Sequence, residues 1–331
     1  MKGKQKTAMT VAEFKEKEMG PLWEIFDFCT NLPMSVYADT LGVKLPEACY
    51  RSSPISRDSR LASEEYLLNA KRSSLDMALP IGVFSYASLG VRGSLSFRQF
   101  KERDINEREG ASVALPPYLK INAPLGAVIR SRRSVREMSG KSLSMEELSS
   151  VLFYGDGVTG DFNHAPGGGE FPVTETLGDK YVSKVRAAPS GGGLYPVYLY
   201  AVVLNVDGLK PGIYQYMPIT HALEIVRIFD ARDMDRLREI ANWGNNISLE
   251  SIDVAMFYVY SLYENSRKYV DMGLTFALIE AGEISENIHL ACTAMGLASC
   301  DIGGYDKVPC ESFLGVDGLT RHMIHLTLIG K

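Results

Sequence analysis

The chain has 331 residues, 46% of them hydrophobic and 23% charged, with a formal net charge of −5. That length holds one large or two ordinary domains with a proper core, and the acid excess argues against a general nucleic-acid binder. No apolar run reaches membrane-spanning length and "MKGKQKTAMTVAEFKEKEMG" has no apolar signal core, so the expectation is a cytosolic protein with no membrane or nucleic-acid partner.

In chain order, residues 1–115 differ in character from the remainder of the chain. Helical stretches such as "AEFKEKEMGPLWEIFDFC" and "SEEYLLNAKR" alternate with polar connectors such as "YRSSPISRDSR", and "ALPPYLKINAP" reads as a proline-rich linker into the second part, 116–331. "PLGAVIRSRRSVREMSG" then predicts a helix ending in a basic loop. "SLSMEELSSVLFYGDG" predicts a helix with a Ser144-x-x-Glu147 capping box and an apolar stripe at Met145, Leu148, Val151 and Leu152, stopped by Gly155 and Gly157. Residues 155–193 are rich in glycine and polar side chains, which predicts a long loop or lid without regular structure.

"LYPVYLYAVVLNV" and "DVAMFYVYSLY" are aromatic and β-branched and predict buried strands. Between them, Ile213–Met217 and Ala222–Val226 flank a polar turn and predict a hairpin. "GLTFALIEAGEISENIHLACTAMGL" spaces Leu274, Ala277, Leu278, Ala281, Ile284, Ile288, Ala291 and Met295 along one helix face, ended by Gly296. "HMIHLTLIGK" closes the chain as a strand. Strands and helices do not alternate one to one, so the fold class expected is α+β.

The five cysteines (Cys29, Cys49, Cys292, Cys300, Cys310) are odd in number and lack metal-ligand spacing, which points away from a disulfide framework or zinc centre. His322 and His325 would point to opposite faces of a strand, so no metal site is expected there.

Three stretches carry candidate chemistry. "RSRRSVR" sets Arg130, Arg132, Arg133 and Arg136 around Ser134, a concentration of guanidinium groups suited to a phosphate. "RAAPSGGGLYP" places proline, serine and three glycines before a strand, where bare backbone can approach a flat ligand. It lacks the Walker lysine and the dinucleotide spacing. Lys268 and Tyr269 stand side by side just before the long helix; a solvated loop is the plain alternative for such a pair.

"RRSVR", "LSMEELSSVLFYGDG", "APSGGGLYPVYLYAVV", "GLKPGIYQY", "ALIEAGEISENIHLACTAMGLAS" and "IGGYD", in that order over residues 120–331, resemble the flavin-dependent nitroreductase superfamily and, within it, the SagB-type dehydrogenases that oxidise azolines. The resemblance implies a nitroreductase-like fold over 116–331, a homodimer, and FMN at the subunit interface. It implies that Arg132, Arg133, Ser134 and Arg136 hold the phosphate and ribityl chain. Pro189, Ser190, Gly191 and Gly192 would line the isoalloxazine, Gly303 and Gly304 would approach its other side, and Arg321 would add a phosphate-binding cation. Lys268 and Tyr269 match the Lys-Tyr pair of azoline oxidases and are the expected catalytic residues. Residues 1–115 form an N-terminal extension open to substrate or partner binding.

The implied reaction takes a thiazoline or oxazoline in a peptide to the azole with dioxygen as acceptor, in company with a cyclodehydratase complex. An NAD(P)H-dependent nitro- or quinone reductase and a flavin-binding scaffold are the competing readings.

Overall fold

The computed structural model describes residues 66–67, 78–86, 89–163, 182–241 and 247–331. The chain divides into a unit of Met1–Leu75 and a unit of Asp76–Lys331, and the second holds the sheet and its helices. Its elements are α1 (Ala78–Tyr86), α2 (Leu89–Glu107), β1 (Ser112–Ala114), α3 (Leu125–Ser131), α4 (Met145–Asp156), β2 (Val158–Asn163), β3 (Val182–Arg186) and β4 (Val197–Val203). They continue with β5 (Gly212–Met217), β6 (Ala222–Ile228), α5 (Ala231–Ile240), β7 (Val254–Ser261), α6 (Leu262–Tyr269), α7 (Met272–Met295), β8 (Ala298–Asp301), α8 (Lys307–Leu314) and β9 (Arg321–Gly330).

Seven strands form one antiparallel sheet in the order β1-β6-β5-β4-β7-β9-β8. Along β4, Val197, Leu199, Ala201 and Val203 pack with Leu148, Val151 and Leu152 of α4 and Ala277, Ala281, Ile284 and Ile288 of α7. Tyr200 and Val202 face the other way, toward Leu237 of α5 and Phe313 and Leu314 of α8. With helices on both faces, the central strands have no solvent side, which is why "VAMFYVY" is apolar at every position rather than at every second one. The α+β architecture expected from the element order is the one observed.

The capping box at Ser144 and Glu147 forms as expected. Gly155, however, lies inside α4 rather than stopping it. A Cβ there would come within 2.8 Å of Ile288 on α7, so the glycine permits two helices to touch. The expectation of no regular structure over 155–193 is overturned at its ends, where β2 and β3 pair as an antiparallel ribbon; residues 164–181 lie outside the described residues. His322 and His325 do diverge, one toward Glu311 of α8 and the other toward Asp301. Among the described residues no helix is long and apolar enough to cross a membrane.

Candidate active site

Lys268 and Tyr269 occupy the last turn of α6, not a loop. Three devices hold that turn. Asn265 accepts from Tyr260 Oη at 2.8 Å and donates to Gly273 O at 2.7 Å, tying α6 to the first turn of α7. Val270 closes the helix at φ 51°, a strained value for a β-branched residue, with its N–H on Ser266 O at 2.7 Å. Gly82 of α1 comes so close to the Lys268 carbonyl that a Cβ would sit 2.7 Å from its oxygen.

The glycine-rich segment meets this turn directly. Gly191–Gly193 form a single 3₁₀ turn in which Gly192 adopts φ 65°. A Cβ on Gly192 would overlap Tyr269 Oη and lie 2.7 Å from Lys268 Nζ, and the positive φ there already favours glycine. Phe276 of α7 backs both groups: it meets Tyr269 edge-on at 4.9 Å and would lie 3.2 Å from a Cβ on Gly191.

Lys268 is 8% exposed, and its Nζ stands 5.2 Å from the Tyr269 ring. Among the described residues no carboxylate pairs with it. Burial therefore acts unopposed, lowering the Lys268 ammonium and raising the Tyr269 phenol from their ordinary values. An amine that gives up its proton easily next to a phenol that keeps its own is a base beside a donor.

The expected cofactor residues fall into separate groups. Arg132 caps α3, and Val135 donates its N–H to Ser299 O at 2.9 Å, so Ser134 and Arg136 flank β8. Gly303 and Gly304 follow that strand, and nothing lies within 4 Å of the place of a Cβ on either. Arg133 turns back to the carbonyls of Arg130 and Arg132 at 2.9 and 2.7 Å. Arg321 instead donates to Tyr200 Oη at 3.2 Å and stands 5.7 Å from the Tyr198 ring, on the side of the sheet that α8 covers. Within one chain it joins neither the glycine turn nor the arginine group. Pro189 is exposed, and Ser190 Oγ is already engaged within the loop, donating to Glu280 Oε2 and accepting from Tyr195 N–H at 2.8 Å.

Several polar residues near the turn escaped the motif reading. Glu280 of α7 is 1% exposed, and burial pushes its carboxyl up to about 8. The sequence held one signal for it: an acid four residues before Ile284 and three after Ala277, within the apolar stripe. Arg98 of α2 donates to Leu194 O at 2.7 Å and pairs with Glu264 of α6, which also accepts from Tyr198 Oη. Asp301, just before Ile302 and Gly303, accepts from Thr327 Oγ1 at 2.7 Å and Ser285 Oγ at 3.0 Å, with His289 Nε2 at 2.9 Å. Burial opposes its charge, but the hydrogen bonds win and hold the carboxyl well below the usual carboxylate range. It lines a cavity of about 230 Å³ with Leu278, Ala281, Ile324 and His325.

Residues 129–331 match the family model described as the nitroreductase family. A protein of Methanocaldococcus jannaschii named as a nitroreductase is 31% identical over 194 residues, 58% of this chain and 84% of that protein. The microcin B17-processing protein McbC of Escherichia coli is 29% identical over 139 residues, 41% of this chain and 50% of McbC. Among solved structures, a nitroreductase-type protein from Ralstonia eutropha superposes with a TM-score of 0.51 at 21% identity, covering 67% of this chain and 89% of that one.

Proposed function

The chain belongs to the nitroreductase family of oxidoreductases, and from that premise we propose that it is an FMN-dependent dehydrogenase that aromatises thiazoline or oxazoline rings in a peptide, with dioxygen as final electron acceptor. The observation that carries this reading is Lys268: a largely buried lysine side chain with no carboxylate partner among the described residues, beside a phenol, under a glycine turn whose positive φ disfavours any side chain. Similarity to a protein named for processing microcin B17, a peptide, supports a peptide substrate. A cyclodehydratase that first makes the azoline is the partner this chemistry requires.

Aromatising an azoline removes one proton from the ring carbon and one hydride. FMN, when bound, would supply the chemistry that accepts the hydride and returns its electrons to dioxygen. Lys268 Nζ takes the proton, and partial burial, which lowers its hold on a proton, favours the free amine that this task needs. Tyr269 Oη, kept protonated by burial, orients the amine or relays the proton. The direct test is aerobic incubation with a thiazoline peptide. The peptide should lose two hydrogens per ring, and turnover only of quinones or nitroarenes with NAD(P)H would replace this reading by the reductase one.

The residues present fit FMN. The side chains of Arg132 and Arg136 make no hydrogen bond or ion pair among the described residues, and the backbone at Gly303 and Gly304 is open to a flat group. Arg132, Arg133, Ser134 and Arg136 would take the phosphate end, while Pro189, Ser190, Gly191 and Gly192, with Gly303 and Gly304, would border the ring. Arg321, held by Tyr200 on the other face of the sheet, would add a cation only from a second copy of the chain. Denaturation should release FMN rather than FAD. Arg132→Ala or Arg133→Ala should weaken retention by about 1.5–3 kcal/mol, the worth of a charge-assisted bond, read as cofactor lost on dilution.

The glycine turn packs on Phe276 near the N-terminal end of α7, whereas the arginine group lies beside Ser299 of β8, which bonds His289 in the C-terminal half of α7. A second copy would supply one group to the other. Leu278, expected on the buried stripe of α7, is in fact 49% exposed, and its neighbour Ile279 is 52% exposed. Leu125 and Ile129 of α3 add 65% and 55% exposed side chains. A homodimer covers this apolar surface; light scattering at micromolar concentration should read twice the chain mass, and a monomer that still holds FMN would contradict the interfacial site.

A further inference from the structure

The geometry points to Glu280 as a positioning residue: its carboxyl latches the glycine turn closed against Lys268 and Tyr269. The inference rests on the proposed catalytic role of that pair and deepens it.

One carboxyl group closes both ends of the segment that carries the turn. Glu280 Oε2 receives the Ser190 hydroxyl, and Oε1 receives the Val197 N–H at 3.2 Å. Ser190 Oγ in turn receives the Tyr195 N–H at 2.8 Å. Between these anchors the backbone takes positive φ at Gly192, Gly193 and Tyr195. Tyr195 is not a glycine, so this conformation costs free energy that the surroundings must offset. Left to itself, the segment would relax.

Closure matters because of what the turn touches. The Gly192 backbone lies close enough to Lys268 Nζ and Tyr269 Oη that a Cβ there would meet both, and this close approach limits the water around the amine. Without the latch, the turn lifts, water reaches Lys268, and the amine regains an ordinary lysine's hold on its proton. Glu280 touches neither Lys268 nor Tyr269 in the described hydrogen bonds; it acts through the turn.

The groups facing Glu280 come from four directions. Asp156 of α4 disfavours its charge, Arg186 of β3 and Arg98 of α2 favour it, and Tyr195 of the turn itself lies near. Burial outweighs the arginines, so below about pH 8 the side chain is a neutral acid. Glutamine is then its close mimic. Its oxygen can accept the Val197 N–H, and its amide can donate to Ser190 Oγ once the serine hydroxyl turns away, as the hydroxyl of the neutral acid would.

The test is competitive acetylation of the intact protein across a pH series, with Lys268 modification quantified by peptide mass spectrometry. Lys268 in the wild type should titrate below an ordinary lysine. Glu280→Ala should move that titration up toward the ordinary value and lower azoline turnover about 10²-fold, the typical penalty for a small misplacement. Glu280→Gln should restore both. Should Glu280→Ala fail to fold, Ser190→Ala opens one anchor and should shift Lys268 in the same direction. An unchanged Lys268 titration in the folded variants overturns the latch whatever the substrate is. A shifted titration with no azoline turnover by any form, wild type included, keeps the latch and removes the proposed function instead.

Discussion

Lys268→Ala should lower azoline oxidation by about 10²–10⁴-fold, the usual consequence of deleting a general base, while the protein stays folded and keeps its flavin. The fold should survive because Lys268 has no ion pair among the described residues and its backbone contact to α1 does not involve the side chain. Anaerobic single-turnover mixing with a thiazoline peptide isolates the step, since flavin bleaching reports hydride removal directly. Reduction by dithionite and reoxidation by air should be normal, because neither needs a base. The sign of the pH dependence follows from the lowered lysine. A base works as the free amine, so the wild-type rate should rise with pH and level off below an ordinary lysine's titration. Tyr269→Phe should lose less if the phenol only orients the amine, and as much if it relays the proton. Wild-type bleaching rates in Lys268→Ala would remove the amine from the chemistry.

The largest stability change is expected at Asp156→Ala. Asp156, the last residue of α4, meets Arg186 of β3 at 2.7 Å, and the two side chains are only 3% and 6% exposed. Burial raises the Asp156 carboxyl, with Arg186 acting against that shift. Removing the carboxylate leaves an interior guanidinium without its hydrogen-bonded partner, Glu102 and Glu280 acting on it only as further charges, a change that typically costs about 3–5 kcal/mol out of a total of about 5–15 kcal/mol for a whole domain. Arg186 would keep its stacking on the Tyr195 ring at 4.3 Å, which does not replace a charge partner. Urea unfolding should show the loss as a fall in midpoint. The double variant Asp156→Leu with Arg186→Met should recover much of it, because no buried charge is then left alone. A loss under about 1 kcal/mol in Asp156→Ala would mean that Arg186 finds water or another acid, since surface pairs have that worth.

Much of the architecture could be read from local pattern. The capping box of α4, the apolar runs of β4 and β7, the hairpin of β5 and β6, and the left-handed Gly296 that ends α7 all sit where their residues place them. Each depends on interactions within a few residues or on burial of a whole strand, and both leave periodic traces. The failures share the opposite property. Gly155 reads as a stop by composition, yet it is a contact point with Ile288, more than a hundred positions later in the chain. Leu278 has the spacing of a core residue, but the helix is rotated so that it lines a surface cavity with His325. β2 and β3 pair across a glycine-rich stretch because an antiparallel ribbon needs backbone partners more than it needs an apolar pattern.

The sequence by itself determined the α+β class, the order of the central elements, and the residue types from which a flavin site can be made. Those follow from burial and capping, which act along the chain. Only the tertiary structure decided that Lys268 is a buried amine in a helical turn, that Gly192 is the residue lying over it, and that Glu280 holds Ser190 and Val197 together. Desolvation and close approach arise from segments nearly eighty residues apart meeting in space, and no local pattern of residues encodes that meeting.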